Sequence, residues 1–186
     1  MSLARDLLEQ AGHLATRESK RPKQASLRRA VSSAYYALFH LLIRDSAFDA
    51  TPSSPLGLRE LAARALGHAD MKNVCKGFVA GNAAYLKSVA PGATKPFQTS
   101  EIPPSTQKVL VFPIEVGLIM VMSAFVDLQE ARHDADYNTA SSWNRMDVLT
   151  KVQSARDAFS AWASVKATPN AAVLKAALLL QKNWGR

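Results

Sequence analysis

Apolar positions along this chain recur at three- and four-residue intervals, and the strict alternation of a half-buried strand is nearly absent. Leu3, Leu7, Leu8, Ala11 and Leu14 form one stripe behind Ser2, which predicts a first helix capped at that serine. Lys20-Arg21-Pro22 closes it, because the residue before a proline avoids the α region. A second helix is predicted from about Lys23 to Ala47, with Leu27, Val31, Ala34, Leu38, Leu41 and Leu42 on a wide core face. Thr51-Pro-Ser-Ser-Pro55 reads as a loop. Shorter helical pieces are expected from about Gly57 to Lys87, a stretch that contains Gly67, Gly77 and Gly81. Residues 88–108 hold Pro91, Pro96, Pro103 and Pro104 in a polar setting and read as a long loop.

A long apolar helix is predicted from about Pro113 to Tyr137, with the proline in its first turn, where a missing N–H costs nothing. The next helix start is marked by Asn144 as cap, Asp147 three residues on, and Trp143 with Val148 as a hydrophobic staple. Thr168-Pro169 marks the last start, and that helix is expected to run to Gly185. There is no internal repeat. The pattern predicts an all-α up-and-down bundle, a single domain over 1–186, with a less regular excursion at 48–108. Val109–Val126 is mostly apolar, but Pro113 and Glu115 interrupt it, so it reads as a core helix and no membrane association is expected.

Composition narrows the chemistry. The 186 residues contain one cysteine, Cys75, which excludes an intramolecular disulfide framework and a Cys-rich zinc site. Arg5, Asp6 and Glu9 interrupt the first ten residues, so no signal peptide is read there and a cytoplasmic location is expected. The four histidines, His13, His40, His68 and His133, show no His-x-x-x-His spacing. No P-loop, Gly-x-Gly-x-x-Gly cradle or Gly-x-Ser-x-Gly elbow occurs, so neither a metal nor a cofactor is expected. The net charge of +8 is unevenly spread. Arg5, Arg17, Lys20, Arg21, Lys23, Arg28 and Arg29 crowd the first 29 residues, whereas 109–137 is acidic. A basic surface favours polyanions through counterion release.

Two constellations could carry function. On the second helix, Arg29, Ser33, Tyr36, His40 and Arg44 fall within about 80° of each other on a helical wheel. Phe39 and Ile43 flank them, which suits a groove or an interface, while hydrogen-bonded bundle residues would fit the same pattern. The second is Glu130-Ala-Arg132-His133-Asp134-Ala-Asp136-Tyr137-Asn138. Arg132 with Asp136, and His133 with Tyr137, are i, i+4 pairs that share a face. Asp134 and Asp136 sit at a helix C-terminus, where the macrodipole disfavours carboxylates. Either the helix ends earlier, or Arg132 and the basic helices compensate. An ion-pair cluster tying helix ends together is the structural alternative. A carboxylate beside His40 or His133 would raise that imidazole's pKa.

At these two stretches the chain resembles the HEPN superfamily. The matching runs are Arg28-Arg29-Ala-Val-Ser-Ser-Ala-Tyr35-Tyr36-Ala-Leu-Phe39-His40 and Ala-Arg132-His133-Asp-Ala-Asp136-Tyr137. The second is similar to an Arg-x-x-Ala-Asp-Tyr variant of small prokaryotic members. The resemblance implies a helical bundle that forms a homodimer and works in toxin–antitoxin, defence or RNA-processing systems. Active members are metal-independent endoribonucleases with Arg-x(4–6)-His. Here Arg132 is followed directly by His133, and Tyr137 stands at the expected distance. Tyrosine, with a pKa near 10, does not exchange protons at neutral pH as imidazole does. The expectation is therefore an RNA-associated protein without robust catalysis, binding through Arg29, Ser33, Tyr36, His40, Arg132, Asp136 and Tyr137. A diverged ribonuclease using Arg132, His133, Tyr137 or His40, and an adaptor for a nucleotidyltransferase, are the alternatives.

Overall fold

Helix follows the apolar stripes nearly end to end. The computed structural model describes residues 2–53 and 55–180. In order the helices are α1 (Leu3–Thr16), α2 (Gln24–Ala50), α3 (Leu56–Arg64), α4 (His68–Ser88), α5 (Pro104–Gln107), α6 (Val116–Tyr137), α7 (Arg145–Val165) and α8 (Pro169–Leu180). Among the described residues there is no strand, so the protein is all-α, as the periodicity predicts. No described helix is long and apolar enough to cross a membrane.

Local chemistry sets several helix ends as expected. Asn144 Oδ1 accepts the Asp147 N–H at 2.9 Å, and Asn144 Nδ2 donates back to Asp147 Oδ2 at 2.6 Å. This is a reciprocal cap built from two short side chains. Thr168 Oγ1 accepts the Ala171 N–H at 3.3 Å, and Pro169 opens α8. The expected end of that helix at Gly185 lies outside the described residues. Ser2 stands at the N-cap position of α1, but its hydroxyl makes no capping hydrogen bond; its carbonyl accepts the Arg5 and Asp6 N–H groups at 2.8 and 3.1 Å, the first bonds of the helix itself.

Two expectations are corrected. The apolar helix does not begin at Pro113, which follows a cis peptide bond; α6 begins at Val116. Side chains from other elements hold residues 111–114 out of the helix. Asn170 Oδ1 accepts the Val111 N–H and Asn170 Nδ2 donates to the Val111 carbonyl, both at 2.8 Å. Asn82 Oδ1 accepts the Ile114 N–H at 2.8 Å. Nor is 57–87 a set of short pieces throughout, because α4 is one unbroken helix of 21 residues. Its glycines are a notch, not breaks. Gly77 and Gly81 share a face, and a Cβ on them would overlap the Glu101 carbonyl oxygen and Ile102 Cδ1 respectively. The chain at 99–102 packs into that notch with Ile102 fully buried. Gln107 Nε2 then donates to the Thr99 and Ile102 carbonyls at 3.0 and 2.6 Å. The long segment before α5 is thus tied down by packing and side-chain bonds rather than by repetitive structure.

The chain divides into two compact units. The first comprises Met1–Leu42 and Ala124–Ser160. Its core takes Leu27, Val31, Tyr35 and Leu38 from α2, Phe125, Leu128 and Ala131 from α6, and Val148 and Val152 from α7. The second comprises Ile43–Ser123 and Ala161–Arg186. Met71, Cys75 and Phe78 of α4 are buried there, with Leu118, Met122, Trp162 and Leu174. Burial pushes the Cys75 thiol up to about 12, so it behaves as a core residue and not as a nucleophile.

Candidate functional site: an antiparallel ladder between α2 and α6

Within the first unit, three successive i+4 positions of α2 meet the last turns of α6 in reverse order. Arg28 is the lowest rung. Its Nη1 donates to the Ala135 carbonyl at 2.7 Å, and its Nη2 to the Asn138 carbonyl at 3.0 Å and to the Ser141 carbonyl. One guanidinium thereby satisfies the Ala135 carbonyl in the last turn of α6, ties that turn to the loop carbonyls of Asn138 and Ser141, and places a cation at the negative pole of the helix. Ser32 is the middle rung, donating to Asp136 Oδ1 at 2.5 Å. Tyr36 is the upper one: its hydroxyl accepts from Arg132 Nη2 at 3.0 Å.

Arg132 is enclosed from several sides. Its Nε lies 2.9 Å from Asp136 Oδ2, a charge pairing whose N–H is not aligned as a hydrogen bond. The guanidinium carbon lies 5.9, 5.5 and 5.6 Å from the ring centroids of Tyr35, Tyr36 and Tyr137, within cation–π range. Burial opposes the charge, but the Tyr36 hydroxyl and the Asp136 carboxylate outweigh it, so Arg132 is held above its ordinary pKa. Asp134 faces the other way. Its oxygens accept from Ser141 Oγ at 2.7 Å and Asn138 Nδ2 at 2.8 Å, and these bonds hold its carboxyl below the usual value. Of the two explanations for acids at this helix end, compensation is the one observed, and Arg28 supplies much of it.

The structure therefore brings Tyr36, Arg132, Asp136 and Tyr137 together. His133 is exposed, its ring 5.0 Å from that of Tyr137. His40 reaches the group only through the Tyr36 ring, at 6.4 Å between centroids. Burial pushes its pKa down, the reverse of what a neighbouring carboxylate would do. Ser33 lies apart, its hydroxyl 3.4 Å from Gln10 Oε1 of α1. Arg29 is exposed, whereas Arg28 is committed to carbonyls and is not open to a phosphate. Sequence reasoning missed Arg28, Ser32 and Tyr35 as parts of the site. For Arg28 and Ser32 the signal was present in their four-residue spacing with Tyr36. Among the described residues no group of three His, Cys, Asp or Glu side chains is placed to hold a metal ion.

The two shifted groups give a direct check. In an NMR titration His40 should change charge below the ordinary histidine value of 6.5, and Asp134 below 3.8. Both folded-state values lie under their unfolded ones. The stability linked to each is therefore present above the unfolded pKa and lost as pH falls through the folded one. Ser141→Ala should move Asp134 back towards 3.8 and leave His40 unchanged. A His40 midpoint above 6.5 would place a carboxylate beside it after all. In comparisons with known proteins, no family model, no curated protein and no solved structure matches this chain.

Proposed function

We propose that this is a HEPN-like, RNA-associated helical protein that binds without robust catalysis, as a homodimer, in a toxin–antitoxin, defence or RNA-processing setting. The observation that supports it most is the state of Arg132. The guanidinium stays charged and keeps further N–H donors beyond the one given to Tyr36. The imidazoles near it are poorly placed for proton transfer: His40 stands behind the Tyr36 ring, and His133 lies against Tyr137. A phosphate-binding arginine without a positioned acid or base suits binding better than cleavage. Arg5, Arg17, Lys20, Arg21, Lys23 and Arg29, all exposed and all in the first unit, supply a basic surface of the kind that phosphates neutralise.

The test is fluorescence anisotropy with a labelled single-stranded RNA across a salt series. Affinity should fall linearly on a log–log plot, with a slope of about −0.7 per phosphate neutralised. Arg29→Ala should reduce that slope by about one phosphate's share. Arg132→Ala should weaken binding at every salt concentration while the melting midpoint stays within a few degrees. Binding that is absent at low salt, or indifferent to salt, would favour the nucleotidyltransferase adaptor instead. Metal-free cleavage abolished by Arg132→Ala would favour the diverged ribonuclease. Light scattering should give the mass of a dimer.

A further inference from the structure

In the second unit a cleft of about 550 Å³ lies between the last turns of α4 and the chain that doubles back beside them. Ala84, Lys87 and Ser88, at i, i+3 and i+4, form its helical side. The chain reverses at residues 90–93, where the Ala93 N–H donates to the Ala90 carbonyl at 3.0 Å. Pro91 is second and Gly92 third in that turn, the glycine at φ +84°, as a type II turn requires. Thr94, Lys95 and Gln98 then line the opposite side. That wall is held from behind. The Phe97 ring lies 5.6 Å from Tyr85 of α4 and 5.0 Å from Phe112, and the chain beyond it packs into the Gly77–Gly81 notch.

Charge distinguishes this cleft. Lys87 and Lys95 both line it and both are exposed, and among the described residues no acidic side chain lines it with them. Neither lysine has an ion-pair partner among the described residues. Lys87 stands in the last turn of α4, where a cation meets the negative pole of the helix. That pole amounts to roughly half a charge, so two ammonium groups leave the cleft positive. Hydrogen-bonding capacity is unspent as well. The Thr94 hydroxyl and the Gln98 carboxamide bond nothing among the described residues. Ser88 Oγ gives its proton to the Tyr85 carbonyl at 2.7 Å and keeps its lone pairs. Residues 89–103, with no helix or strand of their own, reach the length at which a loop in a compact domain tends to serve a function.

We propose that this cleft binds a small organic phosphate monoester with a compact apolar body. A monoester carries about −1.5 to −2 at neutral pH, which matches two lysines, whereas each phosphodiester of a nucleic-acid backbone carries a single charge. Its three terminal oxygens accept from several directions at once. They take the ammonium groups of Lys87 and Lys95 together with Thr94 Oγ–H and Gln98 Nε2–H. The apolar body lies against Ala84, Ala93 and Pro96, which supply the uncharged part of the lining. All of these residues belong to the second unit, whereas the residues assigned to RNA belong to the first, so the two readings stand or fall separately.

The probe is phenyl phosphate, with benzyl alcohol as the body without the charge and inorganic phosphate as the charge without the body. Each is titrated at constant ionic strength into the isotope-labelled full chain and followed by amide chemical shifts. Phenyl phosphate should produce saturable shifts centred on residues 84–98 and bind at least about threefold more tightly than either fragment. Lys87→Gln and Lys95→Gln should each weaken it about three- to fivefold, and the double variant about tenfold or more. Both side chains are exposed, so the melting midpoint should hold in all three variants. Lys108→Gln removes an exposed lysine of the same unit outside the cleft and should bind as the parent does. At about pH 5 the probe loses most of its second charge and should bind about threefold less. Shifts that do not saturate, that centre outside residues 84–98, or that inorganic phosphate matches in affinity overturn the proposal. So does a loss in Lys108→Gln as large as that in Lys95→Gln.

Discussion

Replacing Arg28 with alanine should lower stability by about 3 kcal/mol, the largest effect expected of any partly exposed residue in the first unit. A hydrogen bond to a charged group is worth about 1.5–3 kcal/mol, and Arg28 makes three, to the carbonyls of Ala135, Asn138 and Ser141. They do not simply add, because Asn138 is exposed and Ser141 half-buried, and water can reach those carbonyls once the side chain is gone. The Ala135 carbonyl belongs to a buried residue and is left worst off. For a chain of this length the loss corresponds to a fall in Tm on the order of 10 °C. Arg28→Lys should recover less than half of it, since an ammonium cannot fork to three acceptors on two elements. Arg29→Ala, one residue on and exposed, should stay within about 0.5 kcal/mol of the parent. Thermal melts followed by circular dichroism compare the three. If Arg28→Ala melts with Arg29→Ala, the end of α6 is held by something other than this guanidinium.

In the second unit, Trp162→Ala should cost about 4 kcal/mol, the usual range for deleting a fully buried aromatic. The indole is 1% exposed, and its Nε1–H donates to Asp45 Oδ2 at 2.9 Å. Two effects contribute unequally. The cavity left behind carries most of the cost, because Asp45 keeps the guanidinium of Arg44 at 2.8 Å and is not orphaned. Trp162→Phe separates them in part: it retains most of the ring volume and loses the hydrogen bond with only a small void, so about 1–2 kcal/mol is expected. Urea unfolding should show the midpoint falling with little change in slope. A loss in Trp162→Ala no larger than in Trp162→Phe would mean that the hydrogen bond, not the packing, is what the indole contributes.

Helix positions were legible because their causes are local. Asn144 and Asp147 cap α7 from three residues apart, Thr168 and Pro169 start α8, and the stripe in α2 is a property of its own periodicity. The failures have causes distant in sequence. Pro113 carries the local signature of a first helical turn, yet Asn82 and Asn170 bond the backbone at 111–114, and neither lies within 30 residues. Gly77 and Gly81 carry the signature of a helix interruption, yet the absent side chains make room for the chain at 99–102. The candidate site divides in the same way. Arg132 with Asp136 is readable as an i, i+4 pair, whereas Ser32 and Tyr36 reach α6 across more than 90 residues.

The sequence by itself determined that the chain is all-α, that α2 and α6 each carry polar residues which need partners, and that the first 29 residues are basic. Those properties follow from periodicity, residue type and charge, which need no neighbour in space. Tertiary structure alone decided which polar residues met. It set Tyr36 rather than His40 against Arg132, and turned Arg28 from a candidate phosphate contact into the cap of α6. The physical reason is that a hydrogen bond or an ion pair is short-ranged and directional. Whether Tyr36 or His40, one turn apart, meets Arg132 depends on the axial register of two packed helices, which neither helix specifies alone.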